Sequence, residues 1–386
     1  MALDQETFAQ VKESVARFVR DRLIPAEDEV ERTNEVPEEI VQEMRELGLF
    51  GLSIPEEYGG IGLSMLQECE VIHELCKASL SFRSVIGTTV GIGSQGLVMT
   101  GTEEQKKEYL PRLATGEISS SFCLTEPDAG SDAASLRTTA IRDGDEYVLN
   151  GTKRYITNAL RAGMLTVMAR TDPSKKGASG ISAFLVDPAT PGITIAKADE
   201  KMGQRGTKTS DVIFEDARIP ASALLGGVEG KGFYTAMRVL DRGRLHLSSV
   251  ATGISERMLQ EALGYAVERK QFGKPIGEFQ LVQAMLADSQ ADIYAGVSMT
   301  RDAARRFDEG EDISMLAACC KMFTTEAAGR VADKGVQIHG GAGYMSEYKI
   351  ERFYRDVRLL RLYEGTTQIQ QIVIGRNLLQ NAENAN

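Results

Sequence analysis

The chain has no tryptophan, only three histidines, and no proline beyond Pro275 among its 386 residues. Each shortage excludes something. His73, His246 and His339 stand alone, with no HExxH-type spacing, so a histidine-built metal centre is not expected. The five cysteines (Cys69, Cys76, Cys123, Cys319, Cys320) are odd in number and lack metal-type spacing, which reads as reduced, packed thiols rather than a disulfide framework. No apolar run is long enough to span a bilayer. Basic residues are outnumbered, 44 to 55, giving a net charge of −11 and a pI near 5.1, and this argues against nucleic acid as a principal partner. The first fifteen residues are amphipathic and acidic without a signal or transit pattern. The expectation is a cytoplasmic protein, or one of the mitochondrial matrix where a transit segment has been removed.

What is present is ordinary globular material, 42% hydrophobic and 26% charged, at a length that implies two or three domains. The proline-free C-terminal part, with apolar residues at helical spacing (Leu281, Met285; Met315, Cys319, Met322), predicts a helical bundle over 226–386. The first 120 residues also read as helices. Phe8, Val11, Val15, Phe18 and Val19 form one stripe, and Ile40, Val41, Met44 and Leu47 form another after Pro37. Between them, over 121–225, short β-type runs (Tyr147–Leu149, Leu165–Ala169, Ile181–Val186, Ile193–Ile195, Val212–Phe214) are separated by the turn signals Asp143-Gly144-Asp145, Asn150-Gly151 and Pro191-Gly192. A helical, antiparallel β, then helical order with no βαβ alternation argues against a dinucleotide-binding doubly wound sheet.

Five segments carry candidate chemistry. Leu124–Asp132 (LTEPDAGSD) lies at the helical-to-β junction, where its small and hydroxylated residues can face a ligand or simply make a tight turn. Gly151–Asn158 (GTKRYITN) sets a Thr hydroxyl beside an aromatic on a strand end. Glu268–Pro275 (ERKQFGKP) groups cations with Phe and Gly, which suits a phosphate and an aromatic base, or equally a helix C-terminus. Gln337–Gly343 is a glycine-rich stretch that permits close backbone approach or ends a helix. Leu362–Gln370 (LYEGTTQIQ) places one carboxylate, Glu364, before a Gly-Thr-Thr turn and a new helix. It is either a base with a raised pKa or a helix-dipole carboxylate.

In this order and at these separations, the five stretches resemble the acyl-CoA dehydrogenase family over nearly the whole chain. The resemblance implies an N-terminal helical domain, a central antiparallel β domain and a C-terminal four-helix bundle that bind FAD and assemble as a homotetramer of paired dimers. It implies a dehydrogenase of the fatty-acid β-oxidation type, which forms a trans-2-enoyl-CoA and passes electrons to an electron-transferring flavoprotein. An acyl-CoA oxidase, a decarboxylating enzyme and a non-catalytic scaffold are the alternatives. By the same resemblance Glu364 is the catalytic base that takes the α-proton while the β-hydrogen leaves as hydride to flavin N5. The thioester carbonyl would accept hydrogen bonds from a ribityl hydroxyl and the Glu364 N–H. Members that carry the base elsewhere have Glu where this chain has Arg242-Gly243, so that alternative site is empty. Phe122, Leu124, Thr125, Ser131, Tyr155 and Thr157 would line the flavin, as would Thr366 and Gln368. Arg269, Gln271, Phe272, Phe279 and Gln280 would reach the FAD of a neighbouring subunit, and Gln337, Gly340 and Gly341 would hold its diphosphate or adenosine. Ser131, Asp241, Arg244 and Gly365 would meet the acyl-CoA. Asp128 replaces a usual Gly, and Tyr155 a usual Trp.

Arg83 sits in an otherwise apolar or small-residue run, Leu80–Val90. A buried charge there needs a partner. The resemblance places this helix on the acyl pocket, where glutaryl-CoA dehydrogenases carry Arg-Ser and straight-chain members an apolar residue. Arg83 therefore either binds a distal carboxylate or polar terminus of the substrate, or forms a salt bridge to a nearby helix carboxylate such as Glu74. Gly87 in place of a serine, and the lack of a His after YEGTTQIQ, depart from the glutaryl pattern.

Overall fold

A computed structural model of the chain describes residues 3–175 and 177–384, so the outermost ends of the expected first and last domains, and the first two residues of the amphipathic N-terminus, lie outside it. Seven helices open the chain: α1 (Gln5–Phe18), α2 (Ile24–Thr33), α3 (Glu38–Glu46), α4 (Met65–Leu75), α5 (Leu80–Gly87), α6 (Gln95–Thr100) and α7 (Glu103–Ala114). Their starts are chemically marked. Asp4 accepts from the N–H groups of Glu6 and Thr7 at 3.0 Å, while Ser64/Gln67 and Thr102/Gln105 form reciprocal capping boxes at α4 and α7. α5 is buried along its whole length and runs into a π-helical turn, Thr88–Gly93. Such wide turns recur beside functional sites, and this one carries Thr88 and Ile92 to the cavity described below.

The β region holds β1 (Ser119–Cys123), β2 (Thr139–Asp143), β3 (Glu146–Thr157), β4 (Ala162–Arg170), β5 (Ile181–Val186), β6 (Ile193–Ile195) and β7 (Thr209–Pro220) in one sheet of order β1-β4-β2-β3-β7-β6, with β5 also on β4. The expected antiparallel pairing holds for β2–β3, β3–β7, β4–β5 and β6–β7, but β1 lies parallel to β4, as does the single β2–β4 contact, so the sheet is mixed. Strands β1 and β2 add to the runs read from sequence; β1 (SSSFC) buries three serines, of which Ser119 and Ser121 donate to backbone carbonyls, rather than presenting an apolar alternation. Ser121 Oγ donates to Thr157 O at 2.7 Å.

After Pro275 come α9 (Gln280–Asp308), α10 (Ser314–His339), α11 (Lys349–Val357) and α12 (Thr367–Asn384). The longest helix, α8 (Gly232–Glu268), precedes it, with a two-residue ladder β8/β9 (Lys270–Gln271, Lys274–Pro275) between. α10 packs on α8, α9 and α12, the bundle arrangement. The main hydrophobic core does not stop at the domain limits. Val71, Ile72, Phe82 and Ile86 of the N-terminal helices share it with Leu247, Ile254, Val331 and Phe353. The two helical regions are thus one packed body, with the sheet against its side, and the site lies where all three meet.

Candidate active site

A cavity of about 510 Å³ is walled by α5 and the following turn, by the β1–β2 loop and the ends of β3 and β7, and by α8 and the segment before α12. Glu364 stands on that last segment. Its backbone is left-handed (φ 51°), as is that of Gly365 (φ 89°), an uncommon state for a glutamate and one that local contacts must hold. Those contacts are identifiable. Lys321 of α10, fully buried, donates from Nζ to Gly365 O at 2.6 Å, and Gln370 Nε2 donates to Gly365 O at 3.0 Å and Glu364 O at 3.2 Å. The elbow points the carboxylate at α8, where Gly243 leaves space for it: a Cβ there would lie 2.6 Å from Glu364 Oε2.

Glu364 Oε2 is enclosed and has no hydrogen-bond partner. An unpartnered buried carboxylate oxygen is costly, and burial raises this group above the ordinary carboxylate range. Three cations, Arg83, Lys321 and Arg244, pull in the opposite direction without cancelling the rise. Burial in turn pushes Lys321 down to about 8, against the attraction of Glu364. The Glu364 carboxylate thereby holds a proton more tightly than an ordinary carboxylate, the direction a general base needs.

Across the cavity the sheet offers unspent donors. Thr125 and Thr157 make no side-chain hydrogen bond among the described residues, and the buried Thr207 Oγ1 is without a partner. The β3–β7 register slips between Lys153 and Ile156. Tyr155, with φ 58°, is thrown out of the sheet there, 63% exposed, over the cavity mouth. The TEPD loop beside it is shaped by a buried ion pair. Lys153 Nζ meets Glu126 Oε1 at 2.8 Å, and Glu126 accepts from the N–H groups of Arg137 and Thr138. A flat aromatic edge with free hydroxyls on one wall and a raised carboxylate on the other fits a planar flavin facing a substrate.

Of the residues singled out from sequence, Phe122, Leu124, Thr125, Ser131, Tyr155, Thr157, Arg83, Arg244, Glu364 and Gly365 line this cavity. Asp241 does not, but pairs with Arg244. Thr366 instead caps α12, its Oγ1 accepting from Ile369 N at 3.2 Å, and Gln368 is exposed. Arg269, Gln271, Phe272, Phe279, Gln280, Gln337, Gly340 and Gly341 lie away from the cavity on the bundle surface, where Phe272 is 93% exposed and meets Phe279 edge to face.

The salt bridge considered between Arg83 and Glu74 does not form. Glu74 pairs with Lys77, just past the end of α4, at 2.9 Å, while Arg83 Nε donates to His246 Nε2 at 3.0 Å. His246 meets Glu68 through its other nitrogen at 2.7 Å, and Glu68 is paired with Arg242. In the Arg242-Gly243 pair at the alternative base site, Arg242 is thus the partner of a buried carboxylate and Gly243 leaves room for Glu364. Lys321 and Glu68 went unnoticed in the sequence, and His246 was read only as an isolated histidine outside any metal motif. A lone ionisable residue within an apolar helical run is the signal that marks Lys321 and His246.

The chain matches family models for the N-terminal domain of acyl-CoA dehydrogenase over residues 5–117, the middle domain over 121–217 and the C-terminal domain over 230–379. It is 43% identical over 370 residues to a probable acyl-CoA dehydrogenase of Bacillus subtilis, covering 96% of this chain and 97% of the relative. It is 42% identical to a subunit of the caffeyl-CoA reductase–Etf complex of Acetobacterium woodii, covering 92% and 93%. A solved glutaryl-coenzyme A dehydrogenase in complex with glutaryl-CoA superposes with a TM-score of 0.94 at 34% identity, over 98% of this chain and 96% of that one. With all three domains matched in order and the cavity at their junction, this chain belongs to the acyl-CoA dehydrogenase family of FAD-dependent oxidoreductases.

Proposed function

We propose that the protein oxidises an acyl-CoA thioester to the trans-2-enoyl-CoA, with Glu364 as the base that takes the α-proton. The observation that carries this reading is the enclosed, unpartnered Glu364 Oε2 on a left-handed elbow, its proton affinity raised by burial, opposite a wall of free hydroxyls. Bound FAD supplies the two-electron acceptor for the β-hydrogen. Thr125 and Thr157 offer hydroxyls to its ring system, and Phe122, Leu124 and Tyr155 give it an apolar and aromatic bed. Glu364 abstracts the α-proton. Its own N–H makes no hydrogen bond within the chain among the described residues and is free to meet the thioester oxygen, on which charge develops. Closing the cavity around the acyl group keeps water from the carboxylate and preserves its basicity. Arg244 and Ser131 are the residues of this wall for the CoA portion, and Asp241 fixes Arg244.

Arg83 sets the substrate class. It is a buried cation on the cavity wall without a carboxylate partner among the described residues, so a distal carboxylate on the acyl chain would complete it. The glutaryl-CoA complex among the similar structures supports this reading. Electrons leave to an electron-transferring flavoprotein, as the Etf complex of the Acetobacterium relative supports. That same relative is named a reductase, and by microscopic reversibility a protonated Glu364 would deliver the α-proton in the reverse direction. The exposed Phe272 and the bundle surface around it would serve the tetramer, and the expected setting is the cytoplasm.

The test is Glu364→Gln. It should retain flavin and bind acyl-CoA, while anaerobic bleaching of the flavin slows by at least about 10³-fold. Bleaching at the wild-type rate removes Glu364 from the chemistry.

A further inference from the structure

We infer that His246, oriented by Glu68, is a positioning residue that holds Arg83 as an uncancelled cationic receptor for the far end of a dicarboxylic acyl-CoA. This rests on the substrate reading above and adds to it the device that makes Arg83 selective.

A guanidinium only donates, so the Arg83 Nε–H···Nε2 contact of 3.0 Å requires a bare Nε2 on His246. The ring proton then lies on Nδ1 and is donated to Glu68 Oε1 at 2.7 Å. Both His246 and Glu68 are fully buried, and Arg242 neutralises Glu68. In this chain of four side chains Glu68 contributes one negative charge and Arg242 and Arg83 one positive charge each, while His246 is a neutral spacer. Its imidazole therefore aligns Arg83 without cancelling it, and Glu364, the cavity carboxylate that feels the Arg83 charge, makes no salt bridge to it among the described residues. A carboxylate in the same place would align Arg83 equally well and extinguish the receptor. Burial also holds the ring neutral, for it pushes His246 down to about 4, with the Arg83 charge adding to the effect.

The remaining geometry agrees. With Nε occupied, the two terminal nitrogens of Arg83 make no hydrogen bond among the described residues, and the side chain lines the cavity beside Ser84, Gly87 and Tyr363. Gly87 makes that placement possible, since a Cβ there would stand 2.9 Å from the Arg83 Cζ. Two parallel N–H donors, fixed from behind, form a fork for a planar carboxylate.

The test uses the flavin-loaded enzyme and two five-carbon substrates, glutaryl-CoA and valeryl-CoA, which differ at the acyl terminus. His246→Asn reaches only the Nδ1 position, so it keeps Glu68 and loses Arg83. His246→Gln reaches the Nε2 position and keeps an acceptor for Arg83. Asn should raise the KM for glutaryl-CoA about tenfold and leave both constants for valeryl-CoA within about twofold, whereas Gln should stay within about threefold of wild type for both. If Asn weakens the two substrates alike, or if Gln is as poor as Asn on glutaryl-CoA, the positioning role is wrong. Arg83→Ala separates the two levels of inference. Should it leave the preference between the substrates unchanged, the carboxylate reading itself fails; should it abolish the preference while Asn is silent, only the role of His246 fails. Where Asn does not retain flavin, His246→Leu takes its place with the same expected outcome.

Discussion

Adding one methyl group at Gly243 is the sharpest perturbation of the proposed base. A Cβ at this α8 position would lie 2.6 Å from Glu364 Oε2 and 3.0 Å from Ile92 Cγ2, whereas ordinary contact begins near 3.4 Å, so the carboxylate must retreat by about 0.8 Å. The atom in the way is the tip of a flexible side chain, so Glu364 yields rather than the helix. The remaining squeeze against Ile92 costs on the order of 1 kcal/mol. Replacing a mid-helix glycine with alanine returns about the same amount through helix propensity. Gly243→Ala should therefore melt within a few degrees of wild type and keep its flavin. Catalysis is less tolerant, because a displacement approaching 1 Å of a reacting group costs up to about 10²-fold. Anaerobic stopped-flow bleaching of the flavin by an accepted acyl-CoA should slow by about 10- to 100-fold. In a Glu364→Gln background the same substitution should cost almost nothing more, since the group it displaces no longer acts. A Gly243→Ala enzyme that bleaches at the wild-type rate would refute both the steric argument and the assignment of Glu364.

Three further outcomes follow from other contacts. Lys321→Met removes the 2.6 Å bond to Gly365 O that braces the elbow, so kcat should drop about tenfold. The melting temperature should hold in that variant, because the burial cost that pushes Lys321 down to about 8 disappears with the charge. Asn158 is left-handed (φ 62°) and donates to Ser84 O at 2.8 Å and Thr88 Oγ1 at 2.9 Å, tying the sheet to α5. Asn158→Ala should cost about 2–4 kcal/mol in denaturant unfolding. His246 has a folded pKa of about 4 against 6.5 in the unfolded chain. The unfolded chain binds a proton in that window that the fold refuses, and this contribution to stability is lost as pH falls from 6.5 to 4. Relative to His246→Gln, the wild type should lose up to about 3 kcal/mol between those limits, read from denaturant curves at each pH. A constant difference across the window would mean that His246 does not titrate this way.

What the sequence made legible, and what it hid, divides along one physical line. The long C-terminal helices could be read because a proline-free stretch with helical spacing leaves the chain few alternatives, and most strands could be read because glycine turns bracket them. The parallel edge β1–β4 could not be read, since Ser119–Cys123 pairs with a strand some forty residues away and the hydroxyls of Ser119 and Ser121 are met only by backbone carbonyls that the fold brings there. The same distinction governs the site. Glu364 stood out through its local motif. Arg83 was visible as a cation in an apolar run but its partner was not, because Arg83 meets His246 across 163 residues; Lys321 and the Gly365 carbonyl it meets across 44 residues were both hidden. Proximity in sequence misdirected the search for a partner to Glu74, which Lys77 had already satisfied one helical turn away. A buried charge thus announces in sequence that it must be compensated, while the compensating group is chosen by helix packing. When packing supplies only a neutral imidazole, as at Arg83, the unmet charge is what a substrate can complete.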